Sequence, residues 1–186
     1  PYLGAHHGET GGMKGRKRYL YNGGVCVPAF AWWPGGINGG QSSKDPVCTL
    51  DYLPTLCDVL DLPLPDDRPI DGVSILPVLE GKPWTPDRFI PFASDVRRQQ
   101  SPSASIISRE HKLLLWFDPA KKDELYHVES DPGEDKNLID QHPELAVELR
   151  SKLIAWLKSA RKSFVHGDYP GYQQQGRFIA TPGIDL

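Results

Sequence analysis

Between positions 88 and 160 the order of patterns leaves little choice of fold. Short runs of β-branched and aromatic residues at 89–93, 104–108, 112–117 and 124–128 precede one long amphipathic stretch. Asp118-Pro119-Ala120-Lys121-Lys122 supplies turn chemistry between the last two runs, so an antiparallel sheet follows. Pro143 opens the amphipathic stretch at a first-turn position, where the missing N–H costs least. Leu145, Leu149, Leu153, Trp156, Leu157 and Ala160 then fall on one stripe, with Glu144, Glu148, Arg150, Lys152 and Lys158 off it. The stripe predicts a helix covering one face of the sheet. From Ser163 the chain loses any period and reads as a surface tail in which Tyr169 and Tyr172 are candidates for contacting a sugar.

A different texture occupies positions 10–34. Gly11, Gly12, Gly15, Gly23 and Gly24 alternate with Lys14, Arg16, Lys17 and Arg18, and an apolar run at 25–33 follows. Glycines permit positive φ and close approach, so the first part reads as a shaped loop and the second as a buried strand. A cationic loop feeding a core strand is a candidate anion site. The four cations stand too close together to share one face, so at most one or two can point at a common ligand. Further on, Leu50, Leu53, Leu56, Cys57 and Leu60 recur at helical spacing, and Asp51 is expected to sit at that helix's N-terminus, favoured by its dipole.

Charge and length exclude several classes. A net charge of −3 with dispersed cations offers no stripe for a phosphate backbone, so nucleic acid is not an expected partner. The run at 25–33 is broken by Pro28 and falls far short of the roughly 20 residues of a membrane helix. The chain starts at Pro1 and its single methionine is Met13, so it reads as a fragment. Cys26, Cys48 and Cys57 lack CxxC spacing and read as buried thiols.

Several segments carry a family resemblance. Gly15-Arg16-Lys17-Arg18-Tyr19-Leu20-Tyr21-Asn22-Gly23-Gly24-Val25-Cys26-Val27-Pro28 resembles the sulfatase motif Gly-x-Lys-x-x-x-(Tyr/Phe)-Glu-Gly-Gly-x-Arg-x-Pro, with Asn22 in place of glutamate and Cys26 in place of arginine. Thr49-Leu50-Asp51-Tyr52-Leu53-Pro54-Thr55-Leu56 and the stretch at 70–81 are similar to scaffold segments of the same family. Leu125-Tyr126-His127-Val128-Glu129-Ser130-Asp131-Pro132-Gly133-Glu134-Asp135-Lys136-Asn137-Leu138 follows the signature Leu-(Tyr/Phe)-x-(Leu/Val)-x-x-Asp-Pro-x-Glu-x-x-Asn-Leu and is the most specific match. Asp131, Glu134 and Asp135 have the spacing of metal ligands, but the same residues make a proline turn capped by acids, and they are read as structural.

The resemblance implies an α/β fold of the alkaline-phosphatase type. Residues 1–86 would complete its large domain, 87–162 would form the small antiparallel subdomain with its helix, and 163–186 the tail. It implies hydrolysis of a sulfated carbohydrate or an aryl sulfate by a formylglycine made from a cysteine or serine, beside Ca2+. It also implies a secreted or periplasmic location. The motif lysine, Lys17, would bind the sulfate group and act in catalysis, leaving Lys14, Arg16 and Arg18 to face water; His7 resembles a substrate-binding histidine of the family. Nucleophile and calcium ligands would lie upstream, in the remainder of the catalytic domain, and no metal ligand is assigned here. Cys26-Val27-Pro28-Ala29-Phe30 is not the nucleophile motif, because it lacks the serine and arginine of Cys-x-Pro-Ser-Arg. The alternatives are a phosphate- or phosphonate-ester hydrolase of the same superfamily and a non-catalytic, degenerate binding module, suggested by Asn22 and Cys26.

Overall fold

A computed structural model describes residues 9–94, 101–164 and 167–168 of the 186-residue chain. In chain order the helices are α1 (Asn22–Val25), a 3-10 turn (Thr49–Asp51) running into α2 (Tyr52–Val59), α3 (Leu76–Leu79) and α4 (Pro143–Phe164). The strands are β1 (Ile90–Ala93), β2 (Ala104–Ser108), β3 (His111–Leu115) and β4 (Glu124–His127), forming one antiparallel sheet in the order β1-β2-β3-β4.

The register sorts side chains onto two faces. Ile106 opposes Leu113, which opposes Leu125, and this row with Ala104 and Leu115 packs on Ala146, Leu149, Leu153 and Leu157 of α4. The expected stripe therefore docks as read, with Trp156 and Leu145 at its half-buried edge. Helix α4 continues through Phe164, past the point where the tail was expected to begin. Tyr169 and Tyr172 lie outside the described residues.

The opposite face is covered too, by the glycine-rich segment. Tyr19, Leu20 and Tyr21 pack on Leu114 and Tyr126, with Val25, Phe92 and Trp116 around them. This explains why Leu113, Leu114 and Leu115 are apolar without alternation: both faces of β3 are dry.

The expected strand at 25–33 does not form. Val25 ends α1, and residues 26–33 run without regular structure, leaving Val27, Phe30 and Trp32 exposed. Cys26 is likewise exposed, and Cys48 and Cys57 are only half-buried, so the reading of all three as buried thiols is corrected. An apolar run makes a strand only where neighbours supply both its ladder hydrogen bonds and its dry surroundings.

Asp51 organises the intervening segment. Its fully buried carboxylate accepts from the Cys48 N–H at 2.8 Å, the Val73 N–H at 3.1 Å and the Arg88 guanidinium at 2.7 Å. One N-terminal acid thus joins the start of α2, the extended stretch before α3 and the residue that precedes the sheet. A Cβ on Gly72 would lie 2.0 Å from the Leu50 carbonyl, so only glycine lets this stretch lie against the 3-10 turn.

Candidate functional site: a clamped cationic loop

The loop is a closed ring with its cations at the tip. The Gly23 N–H donates to the Lys14 carbonyl at 2.8 Å, and inside that closure the Tyr19 N–H donates to the Arg16 carbonyl at 2.8 Å. Arg18 has φ 76°, which fits the third position of a type II turn whose second position is Lys17. Both side chains are exposed, and no hydrogen bond or ion pair holds Lys17 among the described residues. Tyr19, the turn's last residue, is buried, with Arg16 packing a guanidinium over its ring at 5.8 Å. The ring closes this tightly because its neck is glycine: a Cβ on Gly24 would stand 2.1 Å from the Tyr19 carbonyl oxygen.

Lys14 does not face water as expected. Its ammonium lies 3.2 Å from the Tyr126 hydroxyl, 3.4 Å from the Glu134 carbonyl and 3.5 Å from Glu124, and sits 4.3 Å above the Tyr21 ring. It is a strut between loop and sheet, which sets it apart from Lys17. His7, the other residue expected to touch substrate, lies outside the described residues.

Two polar clusters hold the loop down. In the first, Glu124 accepts from the Tyr21 hydroxyl at 2.8 Å, the Trp116 indole at 2.7 Å and the Tyr126 hydroxyl at 2.6 Å. Burial alone would raise the Glu124 carboxyl, but those donors and the charge of Lys14 outweigh it and keep the group below the usual carboxylate range. Tyr21 and Tyr126, desolvated and already donating to a carboxylate, are pushed far above the ordinary phenol range.

The second cluster is fully buried. Lys112, the second residue of β3, places its ammonium 2.8 Å from Glu134 Oε1, both side chains being at most 1% exposed. Asn22 lies against the pair: its Oδ1 accepts from Lys112 at 2.8 Å, its backbone N–H donates to Glu134 Oε2 at 2.7 Å, and its Nδ2 donates to the Pro132 carbonyl at 3.1 Å. Burial pushes Lys112 down and Glu134 up, each toward neutrality, and each partner's charge opposes the other's displacement. Glu134 has φ 55°, an uncommon value for a residue with a side chain, imposed where the Asp131–Asn137 turn brings its carboxylate inward.

Two of the three acids singled out for their spacing, Asp131 and Glu134, are engaged internally. Asp131 accepts from the N–H groups of Asp135 and Lys136 at 3.0 and 2.9 Å, which makes the acid-capped turn, and Glu134 serves Lys112. Among the described residues no group of three or more His, Cys, Asp or Glu side chains is arranged to hold a metal ion. The described residues thus assemble no such group by themselves, and no step is assigned to Ca2+ here.

Sequence reasoning singled out Lys17, which lies exposed on the turn, and missed Lys112 and Asn22 as partners. The signal for Lys112 was a cation inside an otherwise apolar strand, Lys-Leu-Leu-Leu, where a charge is rarely fully buried unless paired. Nothing in the sequence named Asn22 as its counterpart.

The sheet, its helix and the loop form the C-terminal portion of an alkaline-phosphatase-like fold, shared with the solved structure of Ps i-CgsB at TM-score 0.55 and 21% identity, over 67% of this chain and 27% of that one. The family model described as N-sulphoglucosamine sulphohydrolase, C-terminal, matches residues 8–162, so the chain belongs to the sulfatase family. It is 32% identical over 160 residues to a sulfatase of Formosa agariphila, covering 76% of this chain and 29% of that protein. It is also 40% identical over 87 residues to human steryl-sulfatase, covering 47% of this chain and 15% of that one. Human N-acetylgalactosamine-6-sulfatase is 39% identical over 75 residues, 38% of this chain and 14% of that one. The chain thus spans less than a third of the length of each of these relatives.

Proposed function

We propose that residues 1–162 supply the C-terminal part of a sulfate-ester hydrolase, in which Lys17 contacts the sulfuryl group of a sulfated sugar or an aryl sulfate. The observation that carries this reading is the tip of the loop. Within a segment matched to the sulfatases, Lys17 is exposed on a turn closed by the Tyr19 N–H on the Arg16 carbonyl, and among the described residues no hydrogen bond or ion pair holds its side chain. An ammonium fixed there stabilises negative charge that develops on sulfuryl oxygens as the ester breaks. It cannot supply a nucleophile. The formylglycine and Ca2+ of the family belong, on this reading, to the preceding part of the catalytic domain.

The same reading gives the exposed apolar surface an occupant. Phe30 and Trp32 face solvent, as do Leu50, Leu53, Leu56 and Leu60 along the 3-10 turn and α2, and exposed apolar surface of this kind marks an interaction face. They are the seam against which the rest of the α/β domain packs, with residues 1–86 belonging to that domain and 87–162 forming the small subdomain. His7, which resembles a substrate-binding histidine of the family, is the second substrate contact in this proposal.

The test is Lys17→Ala in the intact protein, with hydrolysis of 4-nitrophenyl sulfate as readout. A loss of about 10² to 10³-fold in kcat/KM is expected when one preorganised group at a developing anion is removed. Arg16→Ala and Arg18→Ala should lose far less. A sensitive Arg16 or Arg18 beside a silent Lys17 would show that the motif register is misplaced.

A further inference from the structure

We infer that Asn22 and the buried Lys112 and Glu134 pair form a positioning clamp that sets the presentation of the Lys17 turn from the far side of the loop. This rests on the reading of Lys17 given above. Among the described residues nothing holds the Lys17 side chain, so its place depends on where the backbone ring is anchored. Among the described residues, polar contacts anchor the ring at Lys14, Leu20, Tyr21 and Asn22. Lys14 and Tyr21 reach Tyr126 and Glu124 on one side, and the Leu20 N–H donates to Ser101 at 3.2 Å. On the other side Lys14 reaches the Glu134 carbonyl at 3.4 Å, and Asn22 makes the closer attachment through three polar groups, its backbone N–H, Oδ1 and Nδ2.

The chemistry of the pair favours a role beyond stability. A buried ion pair is a poor way to stabilise a core, because apolar residues of the same volume do as well or better. Here the pair fixes one residue of another segment: Lys112 grips the Asn22 side chain while Glu134 grips its backbone. Glu134 reaches this place only by holding a left-handed backbone conformation, the kind of local cost found where the surroundings over-determine a geometry. Asn22 replaces the glutamate of the family pattern and Cys26 its arginine. The neutral amide accepts from Lys112 without adding a second carboxylate beside Glu134, so the loop keeps its anchor after losing both charges.

The experiment uses the intact protein and two variants. Asn22→Leu keeps the volume but removes the acceptor for Lys112 and the donor to Pro132. The paired Lys112→Met and Glu134→Gln variant removes the charges together and leaves neither one unpaired. Trypsin reads the loop directly, because Arg16, Lys17 and Arg18 are exposed cleavage sites, and inorganic sulfate as a competitive inhibitor reads the anion site without regard to the folded fraction.

With the clamp released, cleavage at 16–18 should rise about tenfold, the factor given by a small loss of local stability, and the inhibition constant for sulfate should rise with it. A merely structural effect would instead lower kcat in proportion to the folded protein and leave KM and sulfate inhibition unchanged. Parental trypsin rates and parental sulfate inhibition in both variants would overturn the clamp. Lys17→Ala separates the two readings, since it should weaken sulfate inhibition while leaving cleavage at Arg16 and Arg18 at the parental rate. Undiminished sulfate inhibition in Lys17→Ala would sink the assignment of Lys17, and the trypsin result would still decide the clamp.

Discussion

Leu153 in α4 and Leu53 in α2 occupy equivalent places in their helical patterns, yet Leu153 is fully buried and Leu53 is 46% exposed. The same contrast separates two regions. Around the sheet, every apolar stripe finds a partner within the chain: α4 takes one face and the Tyr19 to Tyr21 stretch takes the other. Across residues 26–64 the stripes are just as regular, but Pro54 and Thr55 are the only residues of α2 that are buried. Amphipathic periodicity thus specifies a helix and the face it wants covered, whereas coverage depends on what the tertiary fold brings up to it. The first region is a closed core, and the second is a surface shaped to meet one.

Breaking one member of the buried pair should give the largest effect and mark the closed region sharply. Glu134→Gln alone leaves the Lys112 ammonium buried beside a neutral amide and should cost ~3 to 5 kcal/mol, measured as a drop in the denaturant midpoint. A midpoint within error of the parent would mean that the pair is solvated and the closed-core description wrong. Leu153→Ala should come next, at ~2 to 4 kcal/mol from lost contacts and a residual cavity, while Leu53→Ala in the same chain should shift stability by no more than ~0.5 kcal/mol. Equal costs for the two leucines would erase the contrast. Trp156→Ala should fall below Leu153→Ala, at roughly 2 kcal/mol, because its ring lies half-buried at the margin of the helix contact.

Acidity should loosen the two sides of the sheet in separate steps. His111, at the helix side, is held below the ordinary histidine range by burial and by the neighbouring His127 and His142, against a smaller opposing effect of Glu110. The unfolded chain therefore binds the proton more readily, and the His111 contribution, complete at neutral pH, fades as pH falls through about 6.5 and below. Glu124, at the loop side, is depressed, so its contribution is present above the unfolded value near 4.3 and is lost only as pH drops through the lower folded value. Following melting temperature from pH 8 to 3 should show both declines, with His111→Gln removing the first and Glu124→Gln the second. A single decline that survives both replacements would place the titrating groups elsewhere.

The smallest change concerns the turn itself. Arg18→Gly relieves a positive-φ residue and should leave stability within about 1 kcal/mol of the parent, on the stabilising side if the strain outweighs the added freedom of the unfolded chain. A large loss would show that the Arg18 side chain has a packing role that its exposure does not suggest.

Much of the sheet unit was legible in advance because its signals are local. The four runs became β1 to β4 within a residue or two, and Pro143 opens α4 with its stripe inward. The Asp131 turn was also legible, since proline and capping acids act over a few residues. The run at 25–33 misled because apolar content was taken for burial, and Lys14 misled because four crowded cations look alike in sequence. What distinguishes Lys14 from Lys17 is a set of partners more than 100 positions away, Glu124, Tyr126 and Glu134.

Sequence by itself determined the family motifs, the order of strands and helix, and the turn at 131–137, all of which rest on periodicity or short-range chemistry. Only the tertiary structure decided that the glycine-rich segment is the second cover of the sheet, that Lys112 lies beneath it against Glu134, and that Asn22 is gripped by both. The physical reason is range. A buried charge and a neutral amide declare nothing in their own neighbourhoods, and their roles come into being when folding removes water and leaves each as the remaining partner of the other.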